Sequence, residues 1–110
     1  MTIPSFDLRV LRNGRSIHLA PCGELDIATT PELEQALADA TTAAVSEIVL
    51  DLRELTFMDS TGLRALAQAN SRAGETGIAL SIIRGPRQIE RVLEISGLGA
   101  MLPLVDAPPQ

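Results

Sequence analysis

The chain has little aromatic and little basic character. It contains no Trp and no Tyr, and its 2 Phe residues are Phe6 and Phe57. Proteins bind nucleic acid through basic groups that meet phosphates, and often through aromatic side chains on which bases stack. Here 14 acidic residues stand against 9 basic ones, which gives a formal net charge of −5. We therefore expect no nucleic-acid partner, and a core built from Leu, Ile, Val and Ala.

Cysteine and histidine occur once each, as Cys22 and His18. A single cysteine excludes an internal disulfide and a cysteine-rich zinc site, and we expect Cys22 to behave as a small apolar residue. A single histidine leaves too few ligands for a metal centre. The sequence therefore predicts neither a bound metal nor a cofactor.

Long apolar runs are also missing. No stretch approaches the roughly 20 apolar residues that a membrane span requires, and no basic segment leads into an apolar one as in a secretory signal. We expect a cytoplasmic protein. A length of 110 residues predicts one domain, over residues 1–106, followed by a disordered Pro-rich tail over 107–110.

The first part of the chain has the pattern of a β-hairpin. Apolar side chains alternate with other residues on both sides of Asn13-Gly14, at Leu8, Val10, Ile17 and Leu19. An Asn-Gly pair between such runs predicts a tight turn in which both central residues have positive φ. Pro21 is expected to end the second strand or to place it at an edge, with a short extended piece around Leu25 after it.

The rest of the chain alternates between helices and buried strands. Thr29 and Glu32 have capping-box spacing around Pro31, which predicts the start of a first helix. Apolar runs, helical spacing and glycine signals predict the later elements: a strand at 47–52, a helix at 61–73, a strand at 78–83, a helix opened by Gly85-Pro86 and closed by Gly97, and a short strand at 102–105. We expect an α/β fold with an N-terminal hairpin, a mixed β-sheet and helices packed on it.

The segment after the strand at 47–52 carries the chemistry. Ser60 lies where the second helix begins, and there free N–H groups and the helix dipole favour an anion. A phosphoserine at this position would add about two negative charges to the surface. In the simpler alternative, Ser60 or Asp59 only caps the helix. Sites gather at the carboxyl ends of parallel strands, so we expect Ser60, Asp26 and the loop at 84–86 at one end of the sheet.

The same segment, Phe57-Met58-Asp59-Ser60-Thr61-Gly62-Leu63, resembles the signature of the STAS-domain anti-sigma factor antagonists. Gly23-Glu24-Leu25-Asp26 and Ile95-Ser96-Gly97-Leu98 match that family on either side, so the resemblance covers nearly the whole chain. It implies that Ser60 is the phosphoacceptor, and that Asp59 and Asp26 form an acidic patch beside it.

The first turns of the second helix complete the predicted partner-binding surface. Thr61 occupies a position where the family often has a second Ser. Gly62 either relieves crowding in the first turn or lets a partner's backbone or a nucleotide phosphate approach closely. Leu63, Leu66 and Ala67 are expected to face the core, which leaves Arg64 outward, one turn from Ser60. The predicted partner-binding residues are Asp26, Asp59, Thr61, Gly62 and Arg64.

The resemblance implies a protein that binds an anti-sigma factor serine kinase while Ser60 is unphosphorylated, and so releases the sigma factor. The kinase would use ATP, and a phosphoserine phosphatase would reset the switch. The alternative is a non-switching STAS subunit of a transporter or of a signalling scaffold. A Ser–His hydrolase is not expected, since Ser60 lacks the Gly-x-Ser-x-Gly context. His18 alternates with Ile17 and Leu19, so we expect it to face solvent and to be dispensable.

Overall fold

A computed structural model describes residues 6–109. Six strands form one mixed sheet: β1 Phe6–Asn13, β2 Ser16–Leu25, β3 Glu47–Asp51, β4 Leu55–Met58, β5 Ala79–Ile83 and β6 Leu104–Val105. Their order is β1-β2-β3-β5-β6, and β4 pairs with β2. β1 is antiparallel to β2 and the other pairs are parallel. The predicted α/β class with a mixed sheet and an N-terminal hairpin is confirmed.

Within the described residues, three helices connect the strands: α1 Thr30–Thr42, α2 Ser60–Thr76 and α3 Arg87–Ser96, followed by a short 3₁₀ turn at Leu98–Ala100. Their apolar side chains pack against one face of the sheet, in a core that includes Leu33, Leu37, Leu66, Ile89 and Leu93 from the helices and Ile17, Leu19, Ile48, Leu50 and Ile82 from the strands. Within residues 6–109, no helix combines the length and the apolar character that crossing a membrane would need.

The hairpin turn lies one residue later than the Asn13-Gly14 pair predicts. Asn13 pairs with Ser16, so the central residues are Gly14 and Arg15. Gly14 has a φ of 62°. The φ of Arg15 is negative, because Ala44 is the only non-glycine residue with positive φ in the part of the chain that is described. A positive φ at the first central residue alone is the pattern of a type II′ turn.

Pro21 does not end β2, which continues to Leu25. On the side away from β1, β2 pairs with β3 through Leu19 and with β4 from Gly23 onward, so Pro21 lies between its two parallel partners. Because hydrogen-bonded pairs alternate from the turn, the pair of Pro21 with Leu8 is a non-hydrogen-bonded one. The nitrogen of Pro21 therefore points away from β1, toward the gap between β3 and β4. Its lack of an N–H costs no hydrogen bond of the sheet.

Strand β4 has no counterpart among the predicted elements. Consecutive residues of β2 pair with Leu55 and Phe57, which leaves Thr56 as the extra residue of a β-bulge. The bulge turns both Leu55 and Met58 into the core, where their exposure is 0% and 2%. Two inward residues three positions apart break the period of two by which a strand is recognised.

The remaining helix boundaries differ from the predicted ones by a few residues. α2 runs past Gly74 and ends at Gly77, whose φ is 72°, while Gly97 closes α3 with a φ of 79° as predicted. On α2, Ala65 is buried, whereas Ala67, expected in the core, borders a surface groove. Residues 1–5 and Gln110, which the sequence assigned to the domain and to its tail, lie outside the described residues. Residues 107–109 form no helix or strand, and their disorder stays a prediction.

Candidate functional site

The carboxyl ends of β2 and β4 lie side by side. Leu25 pairs with Met58, and the N–H of Asp59 donates a hydrogen bond to the carbonyl oxygen of Leu25 at 3.2 Å. Asp26 and Asp59 therefore leave neighbouring strands from adjacent backbone positions, and Ser60 follows directly. The sheet thus brings Asp26 and the Ser60 segment to the same end, as the topology argument predicted.

Asp59, and not Ser60, is the N-cap of α2. Its backbone is extended, with φ −103° and ψ −171°, and its Oδ1 accepts hydrogen bonds from the N–H groups of Thr61 at 2.9 Å and of Gly62 at 3.3 Å. The helix therefore begins at Ser60, one residue before the predicted start. Ser60 is exposed, and among residues 6–109 its hydroxyl has no hydrogen-bond partner. That hydroxyl is free for a reaction that leaves the cap intact.

Asp26 shapes the loop that leads into α1. Its Oδ1 accepts hydrogen bonds from the N–H groups of Ala28 at 2.9 Å and of Thr29 at 3.1 Å, while the Thr29 hydroxyl oxygen accepts one from the Asp26 N–H at 2.9 Å. This reciprocal pair replaces the predicted capping box of Thr29 and Glu32, because the Thr29 side chain makes no capping bond to α1. Asp26 is therefore a fixed carboxylate rather than a loose loop residue.

Two large apolar side chains that are not among the predicted contact residues are exposed beside this edge. Ile27, next to Asp26, is 76% exposed, and Phe57, two residues before Asp59, is 46% exposed. Apolar anchors beside charged groups are typical of protein–protein interfaces.

Gly62 is buried under the first turn of α2. A Cβ added to it would lie 2.7 Å from Met58 Cγ and 3.0 Å from Leu25 Cδ2. The residue therefore lets the first turn of α2 pack closely on β2 and β4, which is the first of its two predicted roles, and the approach of a partner's backbone or a phosphate stays a prediction. Thr61 is half-buried, whereas Arg64 is exposed and forms no ion pair within the described segment.

A second polar cluster lies on the face of the sheet opposite the helices. Asp51 is only 5% exposed and accepts hydrogen bonds from Arg53 Nε at 3.0 Å and Nη2 at 2.8 Å, and from His18 Nε2 at 3.0 Å. Burial disfavours the charged form of Asp51, but the bonds from the Arg53 side chain and backbone and from His18 outweigh it and lower its pKa to about 2. His18 lies on the face away from the core, as its alternation with Ile17 and Leu19 predicted, and its side chain is 30% exposed beside the Asp51 carboxylate.

His18 is far from Ser60. Leu25 lies seven positions after His18 on β2, which is about 23 Å along a strand, and Ser60 lies beyond that end. This separation removes the pairing that a Ser–His hydrolase requires. Residues 6–109 also hold no group of three or more His, Cys, Asp or Glu side chains that could bind a metal ion.

The loop at 84–86 contributes a structural clamp. Arg84 forms ion pairs with Glu90 at 2.8 Å and Asp106 at 3.0 Å, and its N–H donates to the Val105 carbonyl at 2.9 Å. The hydrogen bond with Glu90 raises the pKa of the Arg84 guanidinium. This arginine holds the last strand in place and is not a free cation.

Cys22 is half-buried, and burial raises the pKa of its thiol. Both observations agree with the predicted role of a small packing residue.

The domain that carries this site matches a known family over almost its entire length. A family model described as "Mlab, STAS domain" matches residues 8–105. The anti-sigma-B factor antagonist of Staphylococcus aureus (strain NCTC 8325 / PS 47) is 34% identical over 76 residues, which are 69% of this chain and 70% of that relative. The chain belongs to the STAS domain family.

Solved structures repeat the same fold. An anti-sigma factor antagonist from Mycobacterium paratuberculosis superposes with a TM-score of 0.83 at 25% identity, over 97% of this chain and 92% of that chain. SpoIIAA in its unphosphorylated form superposes with a TM-score of 0.79 at 21% identity, over 93% of this chain and 89% of that chain. The phosphorylated form of Bacillus SpoIIAA superposes with a TM-score of 0.72 at 22% identity, over 94% of this chain and 91% of that chain. The two SpoIIAA structures are similar to this chain in fold.

Proposed function

We propose that this protein is an anti-sigma factor antagonist that is switched by phosphorylation of Ser60. While Ser60 is unmodified, the protein binds an anti-sigma factor that is also a serine kinase, and the sigma factor is released. The kinase phosphorylates Ser60 with ATP, and a phosphoserine phosphatase removes the phosphate. The protein works in the cytoplasm as a binding protein and is not itself an enzyme. The names of the antagonists that it resembles support this proposal.

One observation carries the proposal: Ser60 is exposed at the first position of α2 while Asp59 supplies the cap. Because Asp59 satisfies the free N–H groups, phosphorylation of Ser60 breaks no bond of the fold. An anion at a helix N-terminus is favourable by roughly 0.3–1 kcal/mol. The modified domain therefore stays folded, and the switch acts at the interface.

The cost of the phosphate arises when a partner covers it. A neutral serine hydroxyl is inexpensive to bury, whereas a phosphate of about two negative charges must be desolvated beside the fixed carboxylates of Asp59 and Asp26. A loss of a few kcal/mol weakens binding by two to three orders of magnitude at about 1.4 kcal/mol per factor of ten. In the contact surface we place Asp26, Asp59, Thr61 and Arg64, with Gly62 supporting it from below.

Mass spectrometry tests the acceptor. After incubation with ATP and a lysate of the source cells, the intact chain should gain one phosphate, and peptide mapping should place it on Ser60. The Ser60→Ala variant should stay unmodified, and the matched Thr61→Val control should still be modified. Modification mainly at Thr61 or Ser71 would show that Ser60 is not the acceptor.

A phosphate mimic tests the switch itself. Ser60→Asp should give the circular dichroism spectrum of the parent and bind the purified kinase at least about a hundredfold more weakly. A mimic that binds as tightly as the parent would refute the repulsion argument.

A non-switching STAS subunit is the second candidate, and the description of the matched family model, which names Mlab, favours it. In that case the protein would co-purify with a transporter ATPase, and Ser60 would remain unmodified.

A further inference from the structure

Strand β1 forms one edge of the sheet. Within residues 6–109 its only partner is β2, and both β3 and β4 pair with the other side of β2. β1 is eight residues long and pairs with β2 without a bulge. A long and regular edge presents a row of unpaired N–H and C=O groups, which is a template for another strand.

The hydrogen-bond pattern of the hairpin decides which backbone groups face this edge. Asn13 and Ser16 form the hydrogen-bonded pair at the turn, and such pairs alternate along an antiparallel ladder. The odd-numbered residues of β1 therefore bond to β2. The N–H and C=O groups of Phe6, Leu8 and Val10 point away from β2, toward the open edge.

The side chains of β1 carry both signs of charge. Asp7 and Arg9 are exposed on the sheet face opposite the helices, and within residues 6–109 neither forms an ion pair. Phe6 and Leu8 lie on the helix side and pack against the core, whereas Val10 on the same side is 59% exposed. Charges of one sign would protect the edge by repulsion, but this edge carries a carboxylate and a guanidinium two residues apart.

A second copy of β1 fits this edge in an antiparallel register centred on Leu8. In a two-fold arrangement each contact occurs twice, and the outward-facing even-numbered residues must oppose each other. With Leu8 opposite Leu8, Asp7 of each copy lies opposite Arg9 of the other. On the helix side, Phe6 of each copy lies opposite Val10 of the other. Opposite charges, and an aromatic beside a β-branched residue, are both favourable cross-strand pairs.

The other registers that pair five or more residues of β1 lack this complementarity. A register centred on Arg9 sets that arginine against itself, and like charges directly opposite are destabilising. A register centred on Val10 or Leu11 sets Arg12 opposite an apolar residue. The centre at Leu8 alone matches charge with charge and apolar with apolar side chains on both faces.

We propose that two copies of this protein associate through β1, antiparallel about a two-fold axis at Leu8, so that their sheets join edge to edge. β2 separates this edge from β4 and from Ser60, so the association is independent of the proposed switch. Five residues a side make a small interface, and we expect a weak dimer with a dissociation constant on the order of 0.1 mM. At the few micromolar of an unfolding experiment the protein is then monomeric.

A charge swap tests the register. Sedimentation equilibrium from about 5 µM to about 1 mM measures the association, which follows mass action. Asp7→Arg and Arg9→Asp should each raise the dissociation constant about tenfold, because each sets like charges opposite each other twice. The double variant Asp7→Arg/Arg9→Asp should return to the parent's value. The matched control Arg15→Asp, in the exposed hairpin turn outside the paired stretch, should stay within about twofold.

The two single variants shift the net charge in opposite directions, so a general charge effect would strengthen association in one of them. Weakening in both, with restoration in the double variant, is the expected result. A protein that stays monomeric at about 1 mM, or a double variant as weak as the single ones, would overturn the proposal. Circular dichroism confirms that each variant is folded.

Amide hydrogen exchange locates the contact. The N–H groups of Leu8 and Val10 should be protected at about 1 mM protein and exchange freely at about 20 µM, whereas those of Asp7 and Arg9 should be protected at both. A dimer that leaves Leu8 and Val10 unprotected would overturn the proposal. Protection of these two amides in the monomer would overturn it as well, because another segment of the chain would then cover the edge. Loss of Ser60 phosphorylation alone would refute only the proposed function.

Discussion

Replacement of Asp51 by Asn tests how much a buried carboxylate stabilises this fold. The pKa of Asp51 is lowered from 3.8 to about 2, against the effect of its own burial, by the hydrogen bonds from Arg53 and His18. Nearly two pKa units at about 1.36 kcal/mol each set a ceiling of about 2.5 kcal/mol. The Arg53 side chain is 49% exposed, so solvent screens part of this interaction. We expect Asp51→Asn to cost about 1–2 kcal/mol at neutral pH.

The pH dependence follows from the sign of the shift. Because the folded pKa lies below the unfolded one, the stabilisation is fully present above pH 3.8 and is lost as the pH falls toward about 2. The parent should therefore lose this contribution across that window, and Asp51→Asn should not. The free energies of unfolding of the two proteins should differ by about 1–2 kcal/mol at pH 7 and converge near pH 2.

Urea unfolding measured by far-ultraviolet circular dichroism is the suitable assay, because the chain has no Trp or Tyr for fluorescence. In thermal unfolding, the same loss should lower Tm by about 4–8 °C per kcal/mol. The matched control is Asp7→Asn, since Asp7 is exposed and makes no side-chain hydrogen bond within residues 6–109. An Asp51→Asn variant as stable as the parent at pH 7, or one with the same deficit at pH 2, would refute the reasoning.

Substitutions at Gly62, Asp59 and His18, with their controls, separate the fold from the proposed switch. Gly62→Ala should destabilise the protein by about 1–3 kcal/mol in urea unfolding because its Cβ would lie 2.7 Å from Met58 Cγ, whereas Gly74→Ala, with open space around it, should stabilise by about 0.5–1 kcal/mol. An equal effect of both changes would contradict the packing argument. Asp59→Asn should keep the helix cap, while Asp59→Ala should cost about 1 kcal/mol, and a reversed order would argue against the cap. His18→Gln should retain kinase binding and phosphorylation, and loss of either in a folded variant would give the histidine a functional role.

The placement of Asp26 and Ser60 could be predicted because its signals are local. The strand before Asp59, the helix after Ser60 and the parallel topology are each readable from short windows, and together they place Asp26 near Ser60 at the carboxyl edge. The identity of the cap was not readable. Asp and Ser are both good N-caps, and which of them takes extended backbone depends on how β4 approaches β2.

The features that the sequence did not predict have a common physical origin, which is pairing between segments that are distant in sequence. β4 contains a bulge at Thr56, so its pattern lacks the alternation of a regular strand. Pro21 is tolerated inside β2 because the strand changes partners there. His18 contacts Asp51 through the parallel register of β2 with β3, across 33 positions of sequence. A single sequence does not specify such a register, and the chemistry of His18 depended on it.

The capping arrangement explains how one short segment can serve both the fold and the proposed switch. Asp59 uses its Oδ1 on the N–H groups of Thr61 and Gly62, which satisfies the helix end without any contribution from Ser60. If Ser60 were the cap, phosphorylation would have to break a bond of the folded state before it could alter an interface. With the cap one residue earlier, the phosphate adds to an intact helix end whose dipole favours it. Its unfavourable part then appears only when a partner removes water from the phosphate and the neighbouring carboxylates.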